Sequence, residues 1–179
     1  MKEVSRELKD KIKKIKLLVL DVDGVLTDGK IIYLSPPQSD SKAFDVKDGF
    51  GMTLLYRAGI RTVLLTARAS RTIKRRAKDM HVARVYQNAF DKLSVYEKII
   101  NEFSVLSEEV CFVGDDLIDL PVLSRVGFSV CPACAVNDLK SRVDYITSRP
   151  GGFGAVREIA DLILKVQGKW AQVTAKYYG

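Results

Sequence analysis

Short apolar segments rich in β-branched residues alternate along the chain with segments in which apolar residues recur at helical spacing. The first kind predicts strands, at residues 16–20, 61–65, 83–86, 109–113, 127–130 and 144–147. The second kind predicts helices, among them residues 51–59, 71–80 and 92–103. Strands that are apolar on both faces and separated by helices are typical of a parallel sheet covered on both sides. The pattern therefore predicts an α/β fold of three layers with a mostly parallel sheet.

The segment of residues 29–46 breaks this alternation and predicts a β-hairpin after the first strand. In it, GKIIYL and SKAFDV flank SPPQSD, whose prolines and small polar residues are typical of a turn. The flanks are strongly apolar, through Ile31, Ile32, Tyr33, Leu34 and Phe44. A hairpin alone is marginally stable, so this one packs either on its own domain or against another subunit. We favour a second subunit.

The composition suits one globular domain that spans residues 1–179, with the hairpin and a C-terminal tail at residues 168–179 as its extensions. Of the 179 residues, 47% are hydrophobic, and no repeat or low-complexity linker divides them. The apolar runs are too short for a membrane span, and the charged N-terminus lacks the apolar core of a secretion signal. We therefore expect a cytoplasmic protein.

The formal net charge of +7 is unevenly spread. Residues 1–16 hold seven basic and three acidic residues, a net charge of +4. One interpretation is a helix that binds nucleic acid or a membrane surface. We favour a solvated helix that packs one apolar stripe on the body, formed by Val4, Leu8, Ile12 and Ile15. The charge of the whole chain suits a small anionic substrate at least as well as a polynucleotide.

Two of the three cysteines, Cys131 and Cys134, form the sequence CPAC. A redox pair of this spacing should open a helix, whereas this one follows a strand-like segment. A zinc site would need two more ligands, and His81 is the sole histidine of the sequence. We interpret the pair as small packing residues in a reducing compartment.

Acidic residues cluster after two of the predicted strands. Asp21 and Asp23 follow the first strand, and because alternate residues of an extended chain share a face, we expect both carboxylates in one cleft. Asp115 and Asp116 follow the fourth strand, with Asp119 one helical turn later. Like charges in a poorly solvated cleft are unfavourable unless they share a cation or a proton. Oxygen ligands without histidine or cysteine predict Mg²⁺, although an isolated pair of aspartates would also be compatible with a surface turn.

Phosphate-binding groups follow the strands between these clusters. Thr66 and Arg68 come after the second strand, and Lys92 begins the helix after the third. Gly24 permits a tight turn beside the first aspartates, and Thr27 adds a hydroxyl that we expect near the substrate. A hydroxyl, a guanidinium, an ammonium and a metal ion are the groups that a phosphoryl group needs around it. The four consecutive strand ends therefore predict a phosphoryl-transfer site.

This order of groups resembles the haloacid dehalogenase superfamily of phosphatases. The matching motifs are DVDGVLT at residues 21–27, Thr66, Lys92 and GDDLID at residues 114–119. The resemblance implies a Rossmann-like three-layer sandwich and hydrolysis of a phosphomonoester through an aspartyl-phosphate. It implies that Asp21 is the nucleophile and that Asp23 is the acid/base that protonates the leaving alcohol and then activates water.

The same resemblance assigns the remaining groups. Thr66 would donate a hydrogen bond to the phosphoryl oxygens, and Lys92 would balance the charge of the phosphate and the nucleophile. Mg²⁺ would be held by Asp21, the backbone carbonyl of Asp23 and Asp115, with Asp119 supporting from behind these ligands. The role of the neighbouring Asp116 stays open.

Members of the superfamily often carry an inserted cap domain, for which this chain has no room, so we expect a capless fold. A capless core with a hairpin resembles the 3-deoxy-D-manno-octulosonate 8-phosphate phosphatases, which are tetramers joined by their hairpins. KDGFGMTLL (47–55), GDDLIDLPVL (114–123) and RPGGFGAVREIADLIL (149–164) look like this group. The resemblance implies a role in lipopolysaccharide precursor synthesis and a tail that reaches a neighbour's active site.

Candidate contacts to the sugar acid are Arg68, Asp48 and Gly49, near the base of the hairpin. For Asp48, an N-cap of the following helix is an equally good interpretation. The sequence departs from the group at Ala67, where a glycine is usual, and at CPAC, where an aspartate-containing turn is usual. Ala67 could slightly alter how the backbone approaches the phosphate.

Three alternatives remain at this point. A phosphatase for a nine-carbon, sialic-acid-like sugar 9-phosphate would share all the catalytic motifs. A phosphoacceptor signalling domain would also have strand-end aspartates and a lysine, but it gives no reason for Asp23. A noncatalytic oligomerisation or nucleic-acid-binding module would use the basic N-terminus and would bind polynucleotides in a salt-sensitive way.

Overall fold

The computed structural model describes residues 4–33 and 40–178, with the backbone alone at residue 40. The strands are β1 Leu17–Leu20, β2 Ile32–Tyr33, β3 Asp40–Ser41, β4 Arg61–Leu65, β5 Arg84–Tyr86, β6 Val110–Val113, β7 Phe128–Cys131 and β8 Tyr145–Ile146. The helices are α1 Arg6–Lys13, α2 Val46–Arg57, α3 Arg71–Asp79, α4 Lys92–Phe103, α5 Leu120–Leu123, α6 Asn137–Lys140, α7 Ala155–Val166 and α8 Trp170–Thr174. Short 3-10 turns precede β6 and α5 and follow α8.

Within the described residues, the main sheet has six strands in the order β5-β4-β1-β6-β7-β8, and every neighbouring pair is parallel. The first strand, β1, is central: Leu20 pairs with Leu64 of β4 on one side and with Val113 of β6 on the other. This confirms the predicted α/β fold. Since parallel strands end at the same edge, the segments after β1, β4 and β6 meet there.

The sheet is apolar on both faces because helices cover both. Leu18 and Leu20 of β1 belong to a core that includes residues of α1, α2 and α7, whereas Leu17 and Val19 point to a second core that includes α4. All four side chains are fully buried. Burial of this kind explains the continuous apolar run in the sequence, in place of the alternation of a half-exposed strand.

Helix α2 starts five residues before its predicted beginning at residue 51. Asp45 is its N-cap, and its side chain accepts a hydrogen bond of 2.6 Å from the amide of Lys47. Gly49 and Gly51 weaken the helical signal of the first turns, since glycine has a poor helix propensity. Both glycines are buried, and a side chain at either would press on a residue of α3 or α7.

The apolar stripe of the N-terminal helix packs on the body, as predicted. Val4, Ile12 and Ile15 are buried in the core, and Leu8 is half-buried against it. The side chain of Gln167, after α7, donates hydrogen bonds to the carbonyl oxygens of Ile12 and Ile15. The basic residues therefore form the outer face of a docked helix.

Strands β2 and β3 pair antiparallel, with Ile32 opposite Ser41, which confirms the hairpin. Leu34 of the first flank and residues 35–39 of the predicted turn, SPPQSD, lie outside the described residues. The apolar flanks divide: Phe44 packs on the core of its own chain, whereas Ile32 and Tyr33 are 52% and 80% exposed. Part of the hairpin base is thus fixed by the domain itself, and the arm presents apolar surface.

In the part of the chain that the structure describes, no cap domain covers the carboxyl edge of the sheet. Between β1 and β4 the described residues form β2, β3 and α2, and between β4 and β5 they form α3. No helix among the described residues is both long and apolar enough to cross a membrane.

The C-terminal tail folds back on its own chain. Trp170 of α8 packs against the core, and the ring of Tyr177 meets that of Phe50 edge-on, with centroids 5.5 Å apart. Arg57 donates a hydrogen bond of 2.6 Å to the hydroxyl of Tyr177. Trp170 and Tyr177 thus contact α7 and α2 of their own chain, and the expectation that the tail reaches a neighbour's active site stays a prediction.

A buried carboxylate joins α2 to α7. Asp48 is 1% exposed, and its oxygens accept hydrogen bonds from the amides of Gly154, at 3.3 Å, and Arg157, at 2.7 Å, in the first turn of α7. The interpretation of Asp48 as the N-cap of α2 is wrong, because Asp45 holds that position. Burial raises the pKa of Asp48 to about 6, against the lowering effect of these hydrogen bonds.

We expect the stabilising effect of Asp48 to depend on pH. Its pKa is about 6 when folded and about 3.8 when unfolded, so its contribution is fully present below pH 3.8 and is lost as the pH rises through 6. The difference in unfolding free energy between the wild type and Asp48→Asn should therefore shrink by about 2–3 kcal/mol from pH 4 to pH 7. Urea titrations at several pH values measure it, and a difference that does not change with pH would contradict this account.

Candidate active site

A cleft of about 290 Å³ opens at the carboxyl edge of the sheet. Six of the predicted site residues line it, namely Asp21, Asp23, Thr66, Arg68, Lys92 and Asp115. They come from the segments after β1, β4, β5 and β6, which the parallel sheet brings to one edge. The exposed Asp116 also lines the cleft, and its side chain accepts a hydrogen bond from the amide of Leu117.

Asp21 continues the line of β1 by one residue. Its amide donates to the carbonyl oxygen of Val113, at 3.0 Å, so the backbone is held by β6. One carboxylate oxygen accepts a hydrogen bond of 2.7 Å from the amide of Val22, and the other lies 3.0 Å from Nζ of Lys92. The side chain is thus fixed in direction, and it is 7% exposed as a residue at the floor of the cleft.

Lys92 is the first residue of α4, and its side chain is 1% exposed. Its ammonium lies 2.5 Å from Oδ1 of Asp119 as well as 3.0 Å from Asp21. Burial alone would lower the pKa of Lys92, but the charges of Asp21 and Asp119 outweigh it and raise the pKa above the usual value. The ammonium is therefore permanently charged between two carboxylates.

Asp119 holds the loop after β6 from behind. It is fully buried, and Oδ2 accepts hydrogen bonds from the amides of Asp115, at 2.9 Å, and Asp116, at 3.3 Å. Gly114 makes this packing possible, since a side chain there would overlap Asp119. Asp119 thereby fixes the position of Asp115.

Asp21, Asp115 and Asp119 each bring a carboxylate oxygen within 4.8 Å of the others. Burial, followed by the charge of Asp119, raises the pKa of Asp21 to about 7. Burial, followed by the charges of Asp21 and Asp119, raises the pKa of Asp115 to about 7. One ammonium does not balance three carboxylates, and a donor set made of oxygen suits a hard divalent cation such as Mg²⁺. The residues present therefore fit the metal that the sequence predicts.

Asp23 lies outside this cluster, between two cations. Oδ1 pairs with the ammonium of Lys42, and Oδ2 lies 3.8 Å from Nε of Arg68. Lys42, which follows β3 at the base of the hairpin, is not among the predicted site residues. A lysine beside a predicted turn is expected in solvent, and nothing in its local sequence indicates that its side chain is 1% exposed.

Thr66 is buried at the end of β4 and is fixed by its backbone. Its amide donates to Tyr86 of β5, and its carbonyl oxygen accepts from Ala89. Its hydroxyl accepts a hydrogen bond of 3.2 Å from the amide of Arg68. Ala67 lies between them on the wall of the cleft.

The structure does not bring three of the predicted substrate contacts, Thr27, Asp48 and Gly49, to the described lining of this cleft. The Thr27 hydroxyl is used within its own loop, where it accepts from the amides of Gly24 and Gly29 and donates to Val22. The carboxylate of Asp48 accepts a hydrogen bond from the first turn of α7, and Gly49 packs against α3. These three residues support the backbone around the cleft and do not line it.

The turn after Pro150 clamps the loop that carries Asp23. A side chain at Gly151 would overlap the carbonyl oxygen of Gly24, and Gly152 donates to the carbonyl oxygen of Val25 at 3.1 Å. Cys134 supports this turn, since its sulfur accepts a hydrogen bond of 3.3 Å from the amide of Gly151.

The structure describes the cysteines as free thiols. Cys131 is buried at the end of β7, which agrees with a packing role, whereas Cys134 is exposed. The CPAC turn thus supports the wall of the cleft.

Comparisons with known proteins show the family of the chain. A family profile of haloacid dehalogenase-like hydrolases matches residues 65–156. The chain is 40% identical over 166 residues to the 3-deoxy-D-manno-octulosonate 8-phosphate phosphatase KdsC of Escherichia coli K12, covering 93% of this chain and 88% of that protein.

Solved structures of this group superpose closely on the chain. The phosphatase from Yersinia pestis has a TM-score of 0.90 at 38% identity and covers 93% of this chain and 89% of its own. The phosphatase from Moraxella catarrhalis, crystallised with magnesium, phosphate and 3-deoxy-D-manno-octulosonate (KDO), has a TM-score of 0.92 at 37% identity. That match covers 96% of this chain and 98% of the other.

We expect Mg²⁺ to raise the melting temperature of the wild type, because the ion relieves the repulsion between buried carboxylates. An ion at 100 times its Kd would add about 2.7 kcal/mol to the unfolding free energy. Asp115→Asn should lose most of this stabilisation, whereas Asp116→Asn, a matched change at an exposed neighbour, should keep it. Melting curves with and without Mg²⁺ measure the effect, and equal responses of the two variants would contradict the assignment.

Proposed function

The chain belongs to the haloacid dehalogenase-like hydrolases, and we propose that it is a Mg²⁺-dependent phosphatase that hydrolyses 3-deoxy-D-manno-octulosonate 8-phosphate to the free sugar acid and phosphate. The observation that carries the reaction type is the pairing of Asp21 with Lys92 beside the carboxylates of Asp115 and Asp119. The similarity to phosphatases over nearly the whole chain supports the substrate. The product would serve lipopolysaccharide precursor synthesis.

In the first step, a carboxylate oxygen of Asp21 attacks phosphorus, and the bond between phosphorus and the sugar oxygen breaks. Asp21 is suited to this because Val22 and Lys92 fix its direction. The leaving alkoxide of a sugar is strongly basic, so it needs a proton, which Asp23 delivers from the wall of the cleft. The result is an aspartyl-phosphate and the free sugar acid.

In the second step, Asp23 takes a proton from water, whose oxygen bonds to phosphorus while the bond from phosphorus to Asp21 breaks. Thr66 and Lys92 line the cleft where they can contact the phosphoryl oxygens in both steps. A bound Mg²⁺ supplies positive charge that offsets the carboxylates and the phosphoryl oxygens. Asp21 and Asp115, with the backbone carbonyl of Asp23, would hold it, while Asp119 fixes the Asp115 loop.

The cleft suits a small anionic molecule. Arg68 has a side chain that is 55% exposed on its wall, which leaves its guanidinium available to the carboxylate of a sugar acid. No cap domain among the described residues covers the entrance of the cleft, so an extended substrate can enter.

We expect Mg²⁺-dependent release of phosphate from 3-deoxy-D-manno-octulosonate 8-phosphate by the wild type. Asp21→Asn should lower kcat by at least about 1,000-fold, since an amide cannot form the acyl-phosphate. A phosphate-release assay with and without EDTA measures both effects, and circular dichroism confirms that the variant folds. The control substrate is a nine-carbon sugar-acid 9-phosphate, and a higher kcat/KM on it would overturn the eight-carbon assignment.

We further propose that the chain acts as a single catalytic domain and assembles into a homotetramer through its hairpins in the cytoplasm. The exposed Ile32 and Tyr33 support assembly, because two adjacent large apolar side chains on a hairpin arm gain free energy when another surface buries them. The free thiols of the cysteines suit a reducing compartment.

The native mass tests the assembly. We expect about four times the chain mass of 20.0 kDa for the wild type, and a smaller species for Ile32→Asp combined with Tyr33→Asp, because charges would be buried between hairpins. Leu106→Asp, a change at an exposed apolar residue distant in sequence from the hairpin, should leave the mass unchanged. Size-exclusion chromatography with light scattering measures it, and a monomeric wild type would refute the tetramer.

A further inference from the structure

The two cationic side chains beside Asp23 differ in how freely they can change conformation. Lys42 and Arg68 each face one oxygen of the carboxylate. The Arg68 side chain is 55% exposed and its Nε lies 3.8 Å away, so it can turn toward a bound anion. The Lys42 side chain is 1% exposed, and its ammonium pairs directly with Oδ1. Lys42 is therefore a fixed partner, and Arg68 is an adjustable one.

A buried ammonium is costly unless it is paired, so the position of Lys42 needs a reason. The backbone around it supplies one. Lys42 directly follows β3, and Phe44, two residues later, packs on the core. The returning arm of the hairpin is thus fixed on the domain beside the cleft, and it presents the ammonium to Asp23, a carboxylate that lies outside the acidic cluster.

We propose that Lys42 is a positioning residue that fixes the direction of the Asp23 carboxylate for proton transfer. This rests on the proposed phosphatase function. Proton transfer to a leaving group requires the acid within hydrogen-bond reach, and small displacements of a catalytic group cost large factors in rate. Asp23 lies on a loop, whereas Asp21 is held by the sheet, so Asp23 depends more on a side-chain anchor. The hairpin supplies this anchor in addition to any role in assembly.

The dependence on the leaving group tests the proposal. An alkyl leaving group, as in 3-deoxy-D-manno-octulosonate 8-phosphate, needs a proton in the transition state, whereas 4-nitrophenolate leaves without one. The quantity to compare is kcat/KM, which covers the steps up to formation of the aspartyl-phosphate and excludes its hydrolysis. We expect Lys42→Met to lower kcat/KM about 10- to 100-fold for the sugar phosphate and less than about threefold for 4-nitrophenyl phosphate.

A double-mutant cycle with Asp23→Asn separates positioning from other roles. In the Asp23→Asn background, Lys42→Met should change kcat/KM for the sugar phosphate by less than about twofold, because the group that it positions no longer carries the proton. Lys42→Arg keeps a cation at the site and should recover part of the loss. Lys30→Met is the matched control, since this lysine pairs with Asp28 on the other arm with a side chain that is 81% exposed, and it should behave as the wild type.

The outcomes are distinct. Equal losses on both substrates, whether from a direct contact of Lys42 with phosphate or from local disorder, would overturn the positioning role, as would an undiminished loss in the Asp23→Asn background. If Lys42→Met does not fold, as judged by its melting curve, the same two comparisons are made with Lys42→Arg, for which a smaller but still substrate-selective loss is expected. A wild type without phosphatase activity would overturn the proposed function itself, and the role of Lys42 with it.

Discussion

The active site depends on the ion pairs that Lys92 makes with Asp21 and Asp119. Three carboxylates gather at one point, where burial, followed by their mutual repulsion, raises the pKa values of Asp21 and Asp115 to about 7. A single buried ammonium makes the cluster tolerable without neutralising it. The remaining negative charge is what gives the site its affinity for a divalent cation, so the imbalance that costs stability is also the basis of function.

This charge arrangement is possible because the sheet fixes the groups that carry it. Asp21 continues the central strand and is hydrogen-bonded to β6, Lys92 begins α4, and Asp119 ties the loop after β6 through the amides of Asp115 and Asp116. The supporting contacts come from groups that do not line the cleft, such as the Thr27 hydroxyl and the turn at Gly151. Rigid placement of like charges prevents the relaxation by which they would otherwise move apart.

The hairpin connects three properties of the molecule. Its exposed arm carries apolar residues, its base is packed on the core through Phe44, and the intervening Lys42 pairs with Asp23, the proposed acid/base. A small phosphatase core without a cap domain must organise its cleft with short segments. In this chain the returning arm of the hairpin places a charge beside Asp23, and Trp170 and Tyr177 of the tail contact the body of their own chain.

The sequence by itself determined the strands, the hairpin and the residues of the four strand ends, because apolar periodicity and the spacing of the motifs are local properties. It misplaced the start of α2, where Gly49 and Gly51 obscure the helix, and it assigned Asp48 to the wrong helix end. Only the tertiary structure decided the partners of buried charges: Lys42 on Asp23, Asp48 on α7, and Asp119 on Lys92. Such pairings join residues far apart in the chain, and burial, which makes them necessary, exists only once the chain has folded.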